Sequence, residues 1–187
     1  MSKPLFIISC PVDTYSGYGA RARDIVKAII ATDRYDVKLL SQRWGNTRFG
    51  YLKDHNDTEL SKRIVEKLEA QPDVWMQITV PNEFQKKAKF SIGITAGIES
   101  TIAPKEWIDG CNKMDLVIVP TEFSKKVLLS TIYDETDKRT NQVVRQHKIT
   151  TPIEVLHEGV ELETFLKLFS KLSTFSPLTK IPLLKTF

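Results

Sequence analysis

Cysteine and histidine are scarce here, with two of the first and three of the second in 187 residues. Cys10 and Cys111 lie far apart and outside any metal-ligand spacing, so a zinc framework or a disulfide scaffold is excluded and both read as reduced thiols in or near a core. No run of eighteen apolar residues occurs, and nothing in the sequence reads as a transmembrane segment. Met1-Ser2-Lys3-Pro4 leads straight into a strand-like run without the apolar region and small-residue cleavage site of a secretory signal, and the expected location is cytoplasmic. An excess of one charge is also missing from the body of the chain. The formal net charge is +4 from 27 basic and 23 acidic residues, but Lys167, Lys171, Lys180 and Lys185 fall in residues 166–187, where there is no acid. Without those four the two signs balance, which argues against a nucleic-acid-binding fold, whose basic footprint belongs on the domain itself.

What is present is an alternation of strand-like and helix-like runs. Leu5-Phe6-Ile7-Ile8-Ser9 is continuously apolar, as a strand buried on both faces requires. Ala22, Ile25, Val26, Ile29 and Ile30 then recur at helical spacing, predicting a helix over 19–31. Further strands are expected at 36–40, 74–80, 91–95, 116–119 and 153–156. A helix capped by Asp57 or Thr58 is expected to carry Leu60, Ile64, Val65 and Leu68 up to Pro72. Another starts at Pro104 and presents Trp107, Ile108 and Cys111, and a short one carries Val127, Leu128 and Ile132. This order implies an α/β fold: a Rossmann-like parallel sheet of about six strands with helices on both faces. Residues 5–160 form that domain and 161–187 a linker-like tail, with Leu162, Phe165, Leu166, Phe169 and Leu172 at helical spacing before Pro177 and Pro182. Residues 42–57 read as a long aromatic and basic loop, and 134–148 as a polar surface excursion.

Four junctions carry the chemistry. Ser16-Gly17-Tyr18-Gly19 joins the first strand to the first helix, where backbone N–H groups and the helix dipole favour an oxyanion. It matches neither the dinucleotide fingerprint, which needs a third glycine and an acid after the second strand, nor the triphosphatase loop with its lysine. Arg21 and Arg23 in the first helical turn either meet an anion or point into water beside Asp24. Gly93 to Thr101 ends a strand in small and hydroxyl-bearing residues, with Glu99 able to accept sugar hydroxyls, act as a base, or cap backbone N–H groups. Val119-Pro120-Thr121-Glu122-Phe123-Ser124 repeats a strand-to-helix junction in which Thr121 or Ser124 suits a cap. His157-Glu158-Gly159 follows the last strand, and His157 reads as either catalytic or structural.

Together these blocks, with Pro104-Lys105-Glu106-Trp107 and the run from His157 to Phe165, resemble the amino-terminal domain of GT-B glycosyltransferases of the family-4-like group over residues 5–165. The resemblance implies hexosyl transfer from a nucleotide-sugar donor to a glycan or other acceptor. No metal and no cofactor beyond the donor substrate are implied, consistent with the lack of an Asp-x-Asp motif. It places Gly17, Tyr18 and Gly19 at the donor phosphates, and Arg43, Trp44, Thr95 and Thr101 at the acceptor. Glu99 becomes the catalytic candidate, and Thr121, Glu122, Glu158 and Gly159 line the cleft or hinge. Many relatives carry a histidine near the end of the fourth strand; this chain has Ala96 and Gly97 there. The resemblance further implies that the carboxyl-terminal, nucleotide-sugar-binding domain is missing, so that these 187 residues alone have little transferase activity. A non-catalytic glycan- or phosphosugar-binding module and a sugar-nucleotide epimerase remain the alternatives.

Overall fold

The computed structural model describes residues 3–140, 142–159 and 166. The chain divides into two units, the first ending at His157 and the second beginning at Glu158. The expectation for residues 161–187 lies outside the described residues, Leu166 apart.

Within the first unit, the apolar runs form six parallel strands: β1 (Leu5–Cys10), β2 (Asp36–Ser41), β3 (Val74–Ile78), β4 (Phe90–Ile94), β5 (Leu116–Val119) and β8 (Ile153–Val155). Their order across the sheet is β2-β1-β3-β4-β5-β8, and every neighbouring pair is parallel. The Rossmann-like α/β class expected from the alternation is thereby established. Strand residues alternate between two cores, as the two-residue period of a pleated strand demands. Phe6, Ile8 and Cys10 of β1 join Met76, Ile78 and Ile94 beneath α1 (Gly17–Ala31), whose Ala22 and Val26 complete that layer. Ile7 and Trp75 face the other way, with Val117, Val119 and Ile153, against α4 (Lys105–Cys111) and α5 (Glu122–Ser130). Because α1 lies on one face and α4 and α5 on the other, the chain reverses direction across the sheet between β1 and β3. The carboxyl ends of the strands around such a reversal are where open parallel sheets bind ligands.

Two expectations need correction. The helix over Leu60–Leu68 is only the four-residue α3 (Thr58–Ser61), capped by Asp57, whose side chain accepts Leu60 N–H. Leu60 packs in the first core and Leu68 against the second, so the apolar spacing joins residues that serve opposite faces of the sheet. Beyond α3 the chain turns and meets the free edge of β2 at one parallel bridge, Ile64 opposite Leu39. Leu39 donates to the Arg63 carbonyl at 2.8 Å and accepts from Val65 N–H at 2.9 Å. An unpaired strand edge and two adjacent β-branched residues, Ile64 and Val65, outweigh the helical period. Ile132 likewise lies beyond α5, half exposed, because Thr131 turns extended. The polar excursion at 134–148 is a hairpin of β6 (Tyr133–Thr136) and β7 (Val143–His147).

Candidate functional site at the carboxyl edge of the sheet

The loop after β1 is built by its own hydroxyls. Thr14 Oγ1 donates to the Pro11 carbonyl at 2.9 Å and lies 2.7 Å from Ser16 Oγ. Ser16 caps α1, its Oγ accepting Gly19 N–H at 2.9 Å. No acid occupies the first turn of α1, so its positive end is uncompensated there. The two glycines differ. A Cβ on Gly19 would lie 2.5 Å from the Thr14 carbonyl oxygen and 2.8 Å from that of Pro11, whereas one on Gly17 would meet nothing within 4 Å. Gly19 is required by packing of helix against loop. Gly17 is exposed.

Arg23 takes neither of the roles open to it in the sequence. Its side chain is buried, and Nη1 donates to the carbonyls of Val12 and Thr14 at 2.9 Å each. The guanidinium lies 3.4 Å from the Tyr51 ring centroid, a cation–π contact with its charge largely withdrawn from water. Tyr51 in turn stacks on His55 at 3.8 Å, and Tyr15 meets Tyr51 edge-on at 5.1 Å. Arg21 reaches elsewhere, donating to the Leu156 carbonyl at 2.9 Å.

The long 42–57 segment is tied down on this loop. Asp13 is the hub: its carbonyl accepts Gly50 and Tyr51 N–H, and Oδ1 accepts Leu52 N–H at 2.7 Å. Those bonds start the short α2 (Tyr51–Asp54) after Gly50, at φ 100°. Asp54 takes Tyr15 Oη at 2.7 Å and pairs with Arg48. The Tyr15 bond foremost holds that carboxyl below its usual range, with desolvation opposing it and Arg48 assisting. Beside this stack a polar groove of about 440 Å³ is lined by Arg23, Asp24, Lys27, His55 and Asp57 among others.

Tyr18 connects three loops. Its ring stacks on Trp44 with centroids 4.0 Å apart and planes 25° from parallel. Its hydroxyl accepts Ala96 N–H at 2.9 Å and lies 3.2 Å from Thr95 Oγ1, which is fully buried. Tyr18, Trp44 and Thr95, nominated from separate stretches, are thus in contact. Arg43 is exposed, its guanidinium 5.5 Å from the Phe49 ring. Glu99 and Thr101 are exposed further along the β4–α4 connection. That connection is pinned at Gly97, φ 86°, where a Cβ would fall 2.2 Å from Ser124 Oγ. Thr121 caps α5, its Oγ1 accepting Ser124 N–H at 3.0 Å, and Glu122 is exposed in the first turn. His157 Nδ1 lies 2.9 Å from the Pro120 carbonyl oxygen. Glu158 and Gly159, in the second unit, are exposed.

Asp13 is the residue that sequence reasoning passed over, and Arg23 was weighed only as an anion-meeting or solvent-facing cation. Nothing marked Arg23 as buried, and Asp13 in a Pro-Val-Asp-Thr turn offered only an ordinary turn signal. Among the described residues no group of three or more His, Cys, Asp or Glu side chains could hold a metal ion. No helix among them is long and apolar enough to cross a membrane.

The fold and edge define a Rossmann-like α/β unit with an aromatic–hydroxyl wall beside a capped helix N-terminus. No protein-family model, curated protein or solved structure matches the chain.

Proposed function

We propose that this unit is the acceptor-side domain of a metal-independent GT-B glycosyltransferase, moving a hexosyl group from a nucleotide-sugar to a glycan or glycosylated acceptor. The observation that carries the reading is the Tyr18–Trp44 stack, anchored through Tyr18 Oη to Thr95 and Ala96. With its hydroxyl engaged at both contacts, Tyr18 acts through its ring, against which Trp44 stacks. An aromatic face suits the C–H face of a pyranose, and free first-turn N–H groups suit a diphosphate. In this reading Glu99 meets acceptor hydroxyls and is the catalytic candidate, while Arg43 and Thr101 extend the acceptor side. Thr121 and Glu122 border the cleft towards a donor-binding domain.

Tryptophan emission tests it. Trp75 is buried and Trp107 half-buried, so a ligand-dependent change that vanishes in Trp44→Phe reports the platform. Titration with maltose, mannobiose, UDP-glucose and GDP-mannose is expected to give such a change with at least one of them. Silence with every sugar, in a protein that remains folded, refutes the reading. A response to the glycans and none to the nucleotide-sugars suits an acceptor half and a non-catalytic glycan module alike, and restoring a donor-binding domain then separates the two.

A further inference from the structure

His157 was the one chemistry-bearing residue of the sequence left without a role, and the structure supplies its missing partner. A carbonyl oxygen only accepts, so the 2.9 Å contact with Pro120 requires the hydrogen on Nδ1. In the neutral ring Nε2 is then a lone-pair acceptor, and which nitrogen is which is set by that backbone bond. The ring is held at a second point through the chain: Arg21, one helical turn after Gly17, donates to the carbonyl of the preceding residue, Leu156. The side chain is exposed, and no described residue bonds Nε2. An oriented, exposed acceptor nitrogen thus stands after β8, at the same edge as the first turn of α1.

We infer that His157 is a ligand-contacting residue of the carboxyl-edge site, its Nε2 accepting a hydrogen bond from a hydroxyl of a sugar or similar polyol. The tautomer selects the ligand chemistry. A neutral acceptor nitrogen pairs with O–H and gives nothing to a phosphate diester anion, which has no hydrogen to donate. Anion recognition is left to the α1 N-terminus, and His157 distinguishes a hydroxyl-bearing ligand from a phosphate diester anion. This inference rests on the reading of the edge as a sugar site.

Two variants separate the ring nitrogens. His157→Asn keeps an amide N–H near the position of Nδ1–H and removes the distal acceptor, whereas His157→Gln extends an amide to the position of Nε2. Ring ¹⁵N resonances of the wild-type protein are expected to show the Nδ1–H tautomer. UDP-glucose is expected to move the Nε2 resonance further than dimethyl phosphate, an anion with no hydroxyl, does. His157→Asn is expected to bind UDP-glucose about three- to tenfold more weakly, the usual value of one neutral hydrogen bond, with His157→Gln closer to wild type. An Nε2–H tautomer, an unmoved Nε2 resonance while Trp44 emission reports binding, or wild-type affinity in His157→Asn overturns the inference alone. If Trp44 is silent to every sugar, the sugar site and this contact fall together. Should His157→Asn fail to fold, the wild-type resonances decide.

Discussion

Replacing Gly19 by alanine adds one methyl group where backbone already is. The new Cβ would stand 2.5 Å from the Thr14 carbonyl oxygen, 2.6 Å from Thr14 Oγ1 and 2.8 Å from the Pro11 carbonyl oxygen. None of the three is the free end of a flexible side chain. The two carbonyls belong to a turn closed by Thr14 N–H on Pro11 at 3.1 Å and by Thr14 Oγ1 on the same oxygen at 2.9 Å. Relief therefore requires helix and loop to separate, at the cost of those bonds and of Ser16 capping Gly19. Overpacking of this kind costs about 1–3 kcal/mol, with backbone obstacles towards the upper end. Alanine recovers roughly 1 kcal/mol of helix propensity over glycine, which leaves a net loss of about 2 kcal/mol.

Gly17 provides the internal control. It lies in the same first turn, is exposed, and would place its Cβ in open space, so Gly17→Ala is expected to be neutral or to gain up to about 1 kcal/mol. Urea unfolding followed by far-ultraviolet circular dichroism measures both. With a slope near 2 kcal/mol/M, Gly19→Ala should unfold about 1 M earlier than wild type, with Gly17→Ala at or slightly above it. A Gly19→Ala midpoint at or above wild type would refute the close-approach argument. The pair also divides the glycines by purpose. Packing accounts for Gly19 and says nothing for Gly17, so a loss of sugar binding in Gly17→Ala without loss of stability isolates ligand approach.

Three further outcomes follow from buried or paired groups. Arg23→Met keeps the aliphatic stem and strips the bonds to Val12 and Thr14; it is expected to cost about 2–4 kcal/mol in urea unfolding, and unchanged stability would return Arg23 to the surface. Asp115 bonds Lys86 and accepts Ser91 N–H at 2.8 Å; the Lys86 bond foremost, against weak desolvation, lowers its pKa. Its contribution is therefore present above the unfolded value of about 3.9 and lost as pH falls through the lower folded value. The urea midpoint should decline below about pH 4, less steeply in Asp115→Asn, and equal slopes would contradict the pairing. Burial pushes the thiols of Cys10 and Cys111 up to about 12. Both should resist a thiol-disulfide reagent at pH 8 and react only on unfolding; fast native labelling would show that the cores are open.

The sheet was legible because its strands are short apolar runs separated by turn chemistry, a local signal that buried parallel strands keep. Leu60–Leu68 misled for the opposite reason: the helical spacing is local, but Leu60 and Leu68 serve cores on opposite faces, a division visible only once the sheet exists. At the site, Tyr18, Trp44 and Thr95 could each be nominated from loop position. Their mutual contact spans up to 77 residues of chain, beyond any periodicity. Arg23 was illegible because a cation near the start of a helix ordinarily points into water, and its burial depends on two carbonyls and a tyrosine delivered by other loops.

Those same loops determine what kind of wall the edge can be. A long aromatic and basic segment between β2 and α3 suggests a mobile arm, yet 42–57 is bound to Asp13 by three backbone N–H groups and braced by Arg23 under Tyr51. Trp44 is held from beneath by a tyrosine whose own hydroxyl is bonded into the β4 terminus. A ligand arriving here meets a preset surface, and little ordering of this loop is subtracted from its affinity. Three of the anchoring bonds converge on one aspartate, two at its carbonyl and one at its side chain, and Gln42 and Arg48 add bonds to Cys10 and Tyr15, so the arrangement depends on Asp13 as much as on the aromatic residues it displays. On the proposed reading, recognition at this edge is tied to the stability of the β1–α1 turn, and damage to Asp13, Arg23 or Gly19 should weaken sugar binding even though none of the three is placed to touch the sugar.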